Sequence, residues 1–145
     1  MLFGLDAALK LLRQEGMENV YRRHRLLAGA VREAVVTWSE GGAFEFNVTE
    51  ADERADSVTT VKMNEGYDSR ALNQFCRETC GVTLGLGIGG LGGFRIAHMG
   101  HVNAAMMLGT LGSVEFGMRT LGMPLTESGV ARATALLAKQ LRASA

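Results

Sequence analysis

The sequence predicts an α+β fold: a small antiparallel or mixed sheet of about four strands, helices on one face, and a long helix pair in front. Three observations predict it. The first forty residues carry two stretches of helical apolar spacing with no strand-like segment between them. The rest reads in the order β-β-α-β-β-α-α. Strands that are neighbours in sequence, with helices to cover one side, make an α+β sandwich.

The elements follow in order. Leu5, Ala8, Leu9 and Leu12 recur at helical spacing up to Glu15. Asp6 stands in the first turn and Gly16 is placed to stop the helix. A longer helix spans about Glu18 to Ser39, with Val20, His24, Leu27, Ala28, Val31, Val35 and Trp38 as its apolar stripe. Arg22, Arg23, Arg25, Arg32 and Glu33 form much of its wet face. Gly41 and Gly42 end it. Ala43 to Val48 alternates with period two and reads as a strand. After a polar loop, the β-branched run Ser57 to Met63 reads as a second. Asp68 or Ser69 caps a helix to about Cys80, with Leu72, Phe75 and Cys76 inward. A third strand is expected from Gly81 onward, then a glycine-dense loop, then a fourth strand from Phe94 to Met99. Asn103 opens a Met-rich helix to about Leu121, best read as core filling. Gly122-Met123-Pro124 breaks it, and Thr126 is the expected cap of a last helix to about Leu141.

Size and composition suit one ordinary globular domain: 145 residues, 47% hydrophobic and 21% charged. Fifteen basic residues balance fifteen acidic ones, so charge gives no reason to expect nucleic acid or an anionic membrane as partner. No apolar run has the length of a membrane span, and no signal segment opens the chain. A cytoplasmic protein is expected. The opening Met1-Leu2-Phe3 has no polar lead-in, as in a chain cut from a longer one. Cys76 and Cys80, four apart on one helical face with no nearby histidine, are expected as reduced, partly buried thiols rather than metal ligands.

The segment from Gly81 to His101 carries most of the chemistry. In the strand Phe94 to Met99, Phe94, Ile96 and His98 share one face, and Arg95, Ala97 and Met99 the other. Phe94 and Ile96 serve as core anchors, which leaves Arg95 beside a small residue and a flexible loop. A guanidinium on a rigid strand can clamp a carboxylate with two parallel hydrogen bonds. The same pattern also suits an arginine paired with a structural acid or lying in solvent. Gly85 to Gly90 is a literal G-x-G-x-x-G, but a strand follows where a dinucleotide site needs a helix, and no acidic residue stands where the ribose is held. His98 and His101 lack a third ligand, and neither forms a recognisable triad. None of the three lysines, Lys10, Lys62 and Lys139, stands in a loop suited to a Schiff base.

These residues resemble a known family. Leu2-Phe3-Gly4-Leu5-Asp6-Ala7-Ala8-Leu9, Glu15 to His24, Asp56 to Val61, Gly81 to Leu84, Gly93 to Gly100 and the helix after Asn103 are similar to the C-terminal part of class V pyridoxal-phosphate aminotransferases. The branch is that of alanine–glyoxylate and serine–glyoxylate aminotransferases. The resemblance implies residues 1–40 as interdomain helices and 41–145 as the small domain of a fold-type-I dimer. It implies an amino group moved between alanine or serine and glyoxylate or pyruvate, with Arg95 holding the substrate's α-carboxylate. The family's Schiff-base lysine, the aspartate under the pyridine nitrogen and the phosphate loop belong to a large domain outside these 145 residues. No catalytic residue, cofactor-binding residue or metal ligand is therefore expected in this chain. Pyridoxal phosphate is expected in the intact enzyme and not on this chain alone. The implied partners are an amino or 2-oxo acid, the large domain in cis or in trans, and a second copy. Two rivals stand beside this reading: a stand-alone α+β module that binds small carboxylates, and a nonfunctional fragment exposing its apolar stripes.

Overall fold

The computed structural model describes residues 2–88 and 92–143. Helix α1 (Leu2–Glu15) and helix α2 (Met17–Ser39) form the expected opening pair. They break at Gly16, whose φ of +82° lies in the left-handed region that favours glycine. No α1 residue is buried. By contrast, α2 buries Val20, Leu27, Ala28, Ala30, Val31, Ala34, Val35 and Trp38. It therefore shares one core with the elements that follow.

The sheet consists of β1 (Phe44–Phe46), β2 (Val58–Met63), β3 (Gly85–Leu86) and β4 (Gly93–Ala97). Its order is β1-β2-β4-β3, antiparallel at every pair. Helices α3 (Ser69–Cys80), α4 (Ala104–Thr120) and α5 (Gly129–Ala143) complete the chain. The helices cover one sheet face, with α5 laid against α2 and α3 against α4. On that face Trp38 meets Phe44 edge-on at 6.3 Å, and Phe44 meets Phe94 edge-on at 5.3 Å. This aromatic chain locks α2, β1 and β4 together, and such pairs add to the burial of apolar area.

The third strand departs from expectation. It is only Gly85–Leu86, inside the glycine run, not the β-branched Val82-Thr83. Gly81 leaves α3 at φ +68°, and the Val82 N–H returns to the Cys76 carbonyl at 2.9 Å. Residues 82–84 are used in leaving the helix, so pairing begins at Gly85. The first strand is also shorter than its alternation, at three residues.

The caps are as expected at two helices and different at the third. Asp68 accepts the Arg70 N–H at 2.8 Å, and Asn103 accepts the Met106 N–H at 3.0 Å. The last helix is capped by Ser128, which accepts the Ala131 N–H at 3.2 Å. Thr126 instead donates to Glu40 at 3.2 Å. The reason is a fixed point three residues later. A Cβ at Gly129 would overlap the Trp38 indole, so the helix can start closely against α2 only there.

Candidate functional site

Arg95 is central in β4, opposite Thr60 of β2 and Gly85 of β3. Its strand neighbours Phe94 and Ile96 are fully buried, while Arg95 is half-buried and Ala97 exposed. The alternation expected from sequence is therefore present, and it turns Arg95 to the face that no helix covers. The Arg95 Nε donates to the Leu86 carbonyl at 2.8 Å. That side chain runs across Gly85, where a Cβ would press on the arginine Cβ and Nε at 3.0 and 3.1 Å. Glycine at 85 is thus the space through which Arg95 reaches the edge strand. Its two terminal nitrogens have no partner among the described residues. A guanidinium held at one end and open at the other is pre-oriented to donate two parallel hydrogen bonds to a carboxylate.

The rest of the open face is small or already paired. Thr60 and Ala97 flank Arg95, and Lys62 pairs with Glu45 at 2.5 Å. The arginine is left without a competing acid because Lys62 engages Glu45, which stands directly opposite it in the β1–β2 register.

His98 lies behind the face, wholly buried. Its Nδ1 lies 2.9 Å from the Asp56 carbonyl and its Nε2 lies 2.9 Å from the Thr59 hydroxyl. A carbonyl only accepts, so Nδ1 carries the proton and Nε2 accepts from Thr59. Burial holds its pKa below the ordinary histidine value, against the pull of the Asp56 carbonyl. His98 is a neutral strut between β4 and β2, in keeping with an internal hydrogen-bonding histidine. Among the described residues no three metal-ligating side chains cluster. The G-x-G-x-x-G run falls partly outside the described residues, at Gly89 and Gly90.

Two arginines assigned to the wet face of α2 do structural work that sequence gave no signal for. Arg23 grips Glu15 through Nε and Nη2 at 2.7 and 2.9 Å, and its Nη1 donates to the Gly100 and Val102 carbonyls. This fork ties α1 to the loop that follows β4. Arg32 donates to the Arg54 and Ala55 carbonyls and to Asp56. A cleft of about 650 Å³ opens between the α1–α2 corner and the end of α5, and Arg95 does not line it. Its Arg23 is already held by four hydrogen bonds, to Glu15 and to the Gly100 and Val102 carbonyls.

Comparison with protein-family models finds no match. Comparison with characterised proteins does. An L-aspartate–glyoxylate aminotransferase from Paracoccus denitrificans is 34% identical over 92% of this chain. A serine–glyoxylate aminotransferase from Methylorubrum extorquens is 34% identical over 94%, and one from Arabidopsis thaliana 36% identical over 94%. Among solved structures, pyridoxamine–pyruvate aminotransferase from Mesorhizobium loti superposes over 98% of the chain with a TM-score of 0.83 at 31% identity. The chain spans about a third of the length of each of these relatives, 33–35%.

Sequence and fold together therefore define a small domain of the class V aminotransferase kind, corresponding to the C-terminal part of such enzymes. Within that class its relatives include the glyoxylate aminotransferases.

Proposed function

We propose that this chain is the substrate-carboxylate half of a pyridoxal-phosphate aminotransferase that moves an amino group between alanine or serine and glyoxylate or pyruvate. One observation carries the reading. Arg95 is anchored through Nε on Leu86, and its terminal nitrogens have no partner among the described residues on the uncovered sheet face. Arg95 holds the α-carboxylate and orients the amino acid. The chemistry at the amino carbon belongs to the cofactor, which serves as electron sink.

Lys10 is exposed and paired with Asp6 at 2.6 Å, Lys62 is paired with Glu45, and Lys139 is exposed on α5. None is a desolvated amine ready to form a Schiff base. The cofactor site accordingly lies on a large domain, in cis or in trans. Residues 1–40 act as interdomain helices, with the wholly unburied α1 lying on that large domain, and residues 41–145 act as the small domain. The assembled enzyme is a homodimer in the cytoplasm, with no nucleic-acid or membrane partner. Among the described residues no helix is long and apolar enough to cross a membrane.

The test is reconstitution. The 145 residues replace the corresponding C-terminal part of the Methylorubrum enzyme, and glycine formation is followed from serine or alanine plus glyoxylate with pyridoxal phosphate. Turnover supports the reading. A folded, cofactor-loaded chimera that forms no glycine from either donor overturns it.

A further inference from the structure

Gly85 is a glycine that the backbone does not require. Gly93, at the start of β4, is fixed by its surroundings: its φ is +153°, and a Cβ there would overlap the Val61 carbonyl. Gly81 makes the left-handed exit from α3. Gly85 does neither. Its φ lies outside the left-handed region, and it sits in antiparallel register opposite Arg95. A glycine inside a strand weakens it and often marks a close approach. Here the approach is to one side chain. The three atoms nearest to a Cβ at 85 all belong to Arg95: Cβ at 3.0 Å, Nε at 3.1 Å and Cζ at 3.6 Å.

This has a chemical consequence. The Arg95 Cβ is fixed by β4, so crowding at 85 is relieved by rotation of the far end of the side chain. The Nε then leaves the Leu86 carbonyl, which it now meets at 2.8 Å. That acceptor is itself fixed, since Leu86 pairs with the fully buried Phe94. A guanidinium can meet a carboxylate side-on, through Nε and one terminal nitrogen, or end-on, through both terminal nitrogens. With the Nε–H spent on Leu86, the end-on mode remains.

We propose that Gly85 is a positioning residue for the carboxylate arginine: the space it leaves lets the Leu86 carbonyl take the Arg95 Nε–H, so that a substrate carboxylate meets the guanidinium end-on. This assignment rests on the reading of Arg95 as the carboxylate clamp. It makes the glycine a requirement of binding geometry and not of the fold.

Two readouts separate this role from a structural one. In the intact chain the Arg95 Nε–H, assigned by its loss in Arg95→Lys, is expected as a distinct, slowly exchanging NMR signal. Gly85→Ala is expected to move it to the position of solvent-exposed arginines. The melting temperature should stay the same or rise, since alanine restricts the unfolded chain. In the reconstituted enzyme, Gly85→Ala is expected to raise the Michaelis constant for serine and alanine about tenfold to a hundredfold, the scale of a displacement of about 1 Å, with kcat changed far less. In an Arg95→Ala background the same substitution adds nothing, because the two residues act as one unit. Absence of the signal from the native chain overturns the Gly85 assignment and leaves Arg95 standing. So does a Gly85→Ala protein that keeps either the signal or the native Michaelis constant, or an equal rise in the Arg95→Ala background. A marked fall in melting temperature makes Gly85 a structural glycine and also overturns it. If Arg95→Ala leaves the Michaelis constant unchanged, the clamp reading itself fails, and the Gly85 assignment with it.

Discussion

The two faces of the four-stranded sheet are built from the same strands and obey opposite rules. On the covered face the buried His98 and Glu115 are both matched. His98 meets Thr59 and a carbonyl, and behind it Glu115 accepts from the Trp38 indole, Ser128, Arg119 and the Val130 N–H. Burial of an unmatched polar group is costly, so partners are at a premium on this face. On the open face the two terminal nitrogens of Arg95 have no partner among the described residues, because water or a ligand can take them. Period-two alternation puts these regimes one residue apart in β4. The lesson is that a charged group can be attached rigidly to a core without taking part in its packing.

Adjacent substitutions in β4 give the sharpest contrast. Phe94→Ala removes the last ring of the Trp38–Phe44–Phe94 stack and is expected to cost about 3–5 kcal/mol of stability in urea unfolding. Arg95→Ala, one residue on, is expected to change it by about 0.5 kcal/mol or less. Comparable losses at both positions would break the division between the faces.

Glu115 tests the covered face at smaller scale. Burial pushes its carboxyl upward, and the donors from Arg119, Val130, Trp38 and Ser128 outweigh that and hold it below the ordinary carboxylate value. A carboxylate with a depressed folded pKa adds stability above its unfolded pKa, and that stability is lost as the pH falls through the folded value. Glu115→Gln is therefore expected to cost about 1–3 kcal/mol near neutral pH. The gap between native and variant should narrow below pH 4.5. A gap that stays constant into acid would mean the carboxylate charge has no role in the network.

The thiols give the smallest effect. Burial, with Cys80 nearby, pushes the Cys76 thiol up to about 11, and its Sγ lies 3.6 Å from the Ser113 carbonyl. Cys80 is only partly covered. A thiol reagent at neutral pH is expected to label Cys80 in the folded chain and Cys76 only after unfolding. Equal labelling would show that α3 opens away from α4.

What the sequence made legible was periodic. The inward Phe94, Ile96 and His98 and the outward Arg95 follow from alternation alone, as do the long helices and the caps at Asp68 and Asn103. What it hid depended on tertiary contact. β-branched Val82 and Thr83 signal a strand, yet the exit from α3 uses them, and the pairing falls to a glycine that has no strand preference of its own. Thr126 and Ser128 are equal as caps until the Trp38 indole fixes where α5 can begin. Arg23 looks like one of several surface arginines, because Glu15 and the Gly100 carbonyl reach it only through folding. Arg95 was legible as an outward arginine beside a small residue. Its anchor on Leu86 was not, since that bond is to a backbone carbonyl, which no residue type announces.

The most direct measurement is the Michaelis constant for the amino donor in the reconstituted enzyme, with and without Arg95→Ala. Loss of a carboxylate held by a guanidinium in a closed site costs about 2–5 kcal/mol, a rise of roughly thirtyfold to several thousandfold. We expect that rise for serine and alanine alike, with the cofactor still bound. An unchanged constant in a folded, cofactor-loaded variant would remove Arg95 from the substrate site and contradict the account.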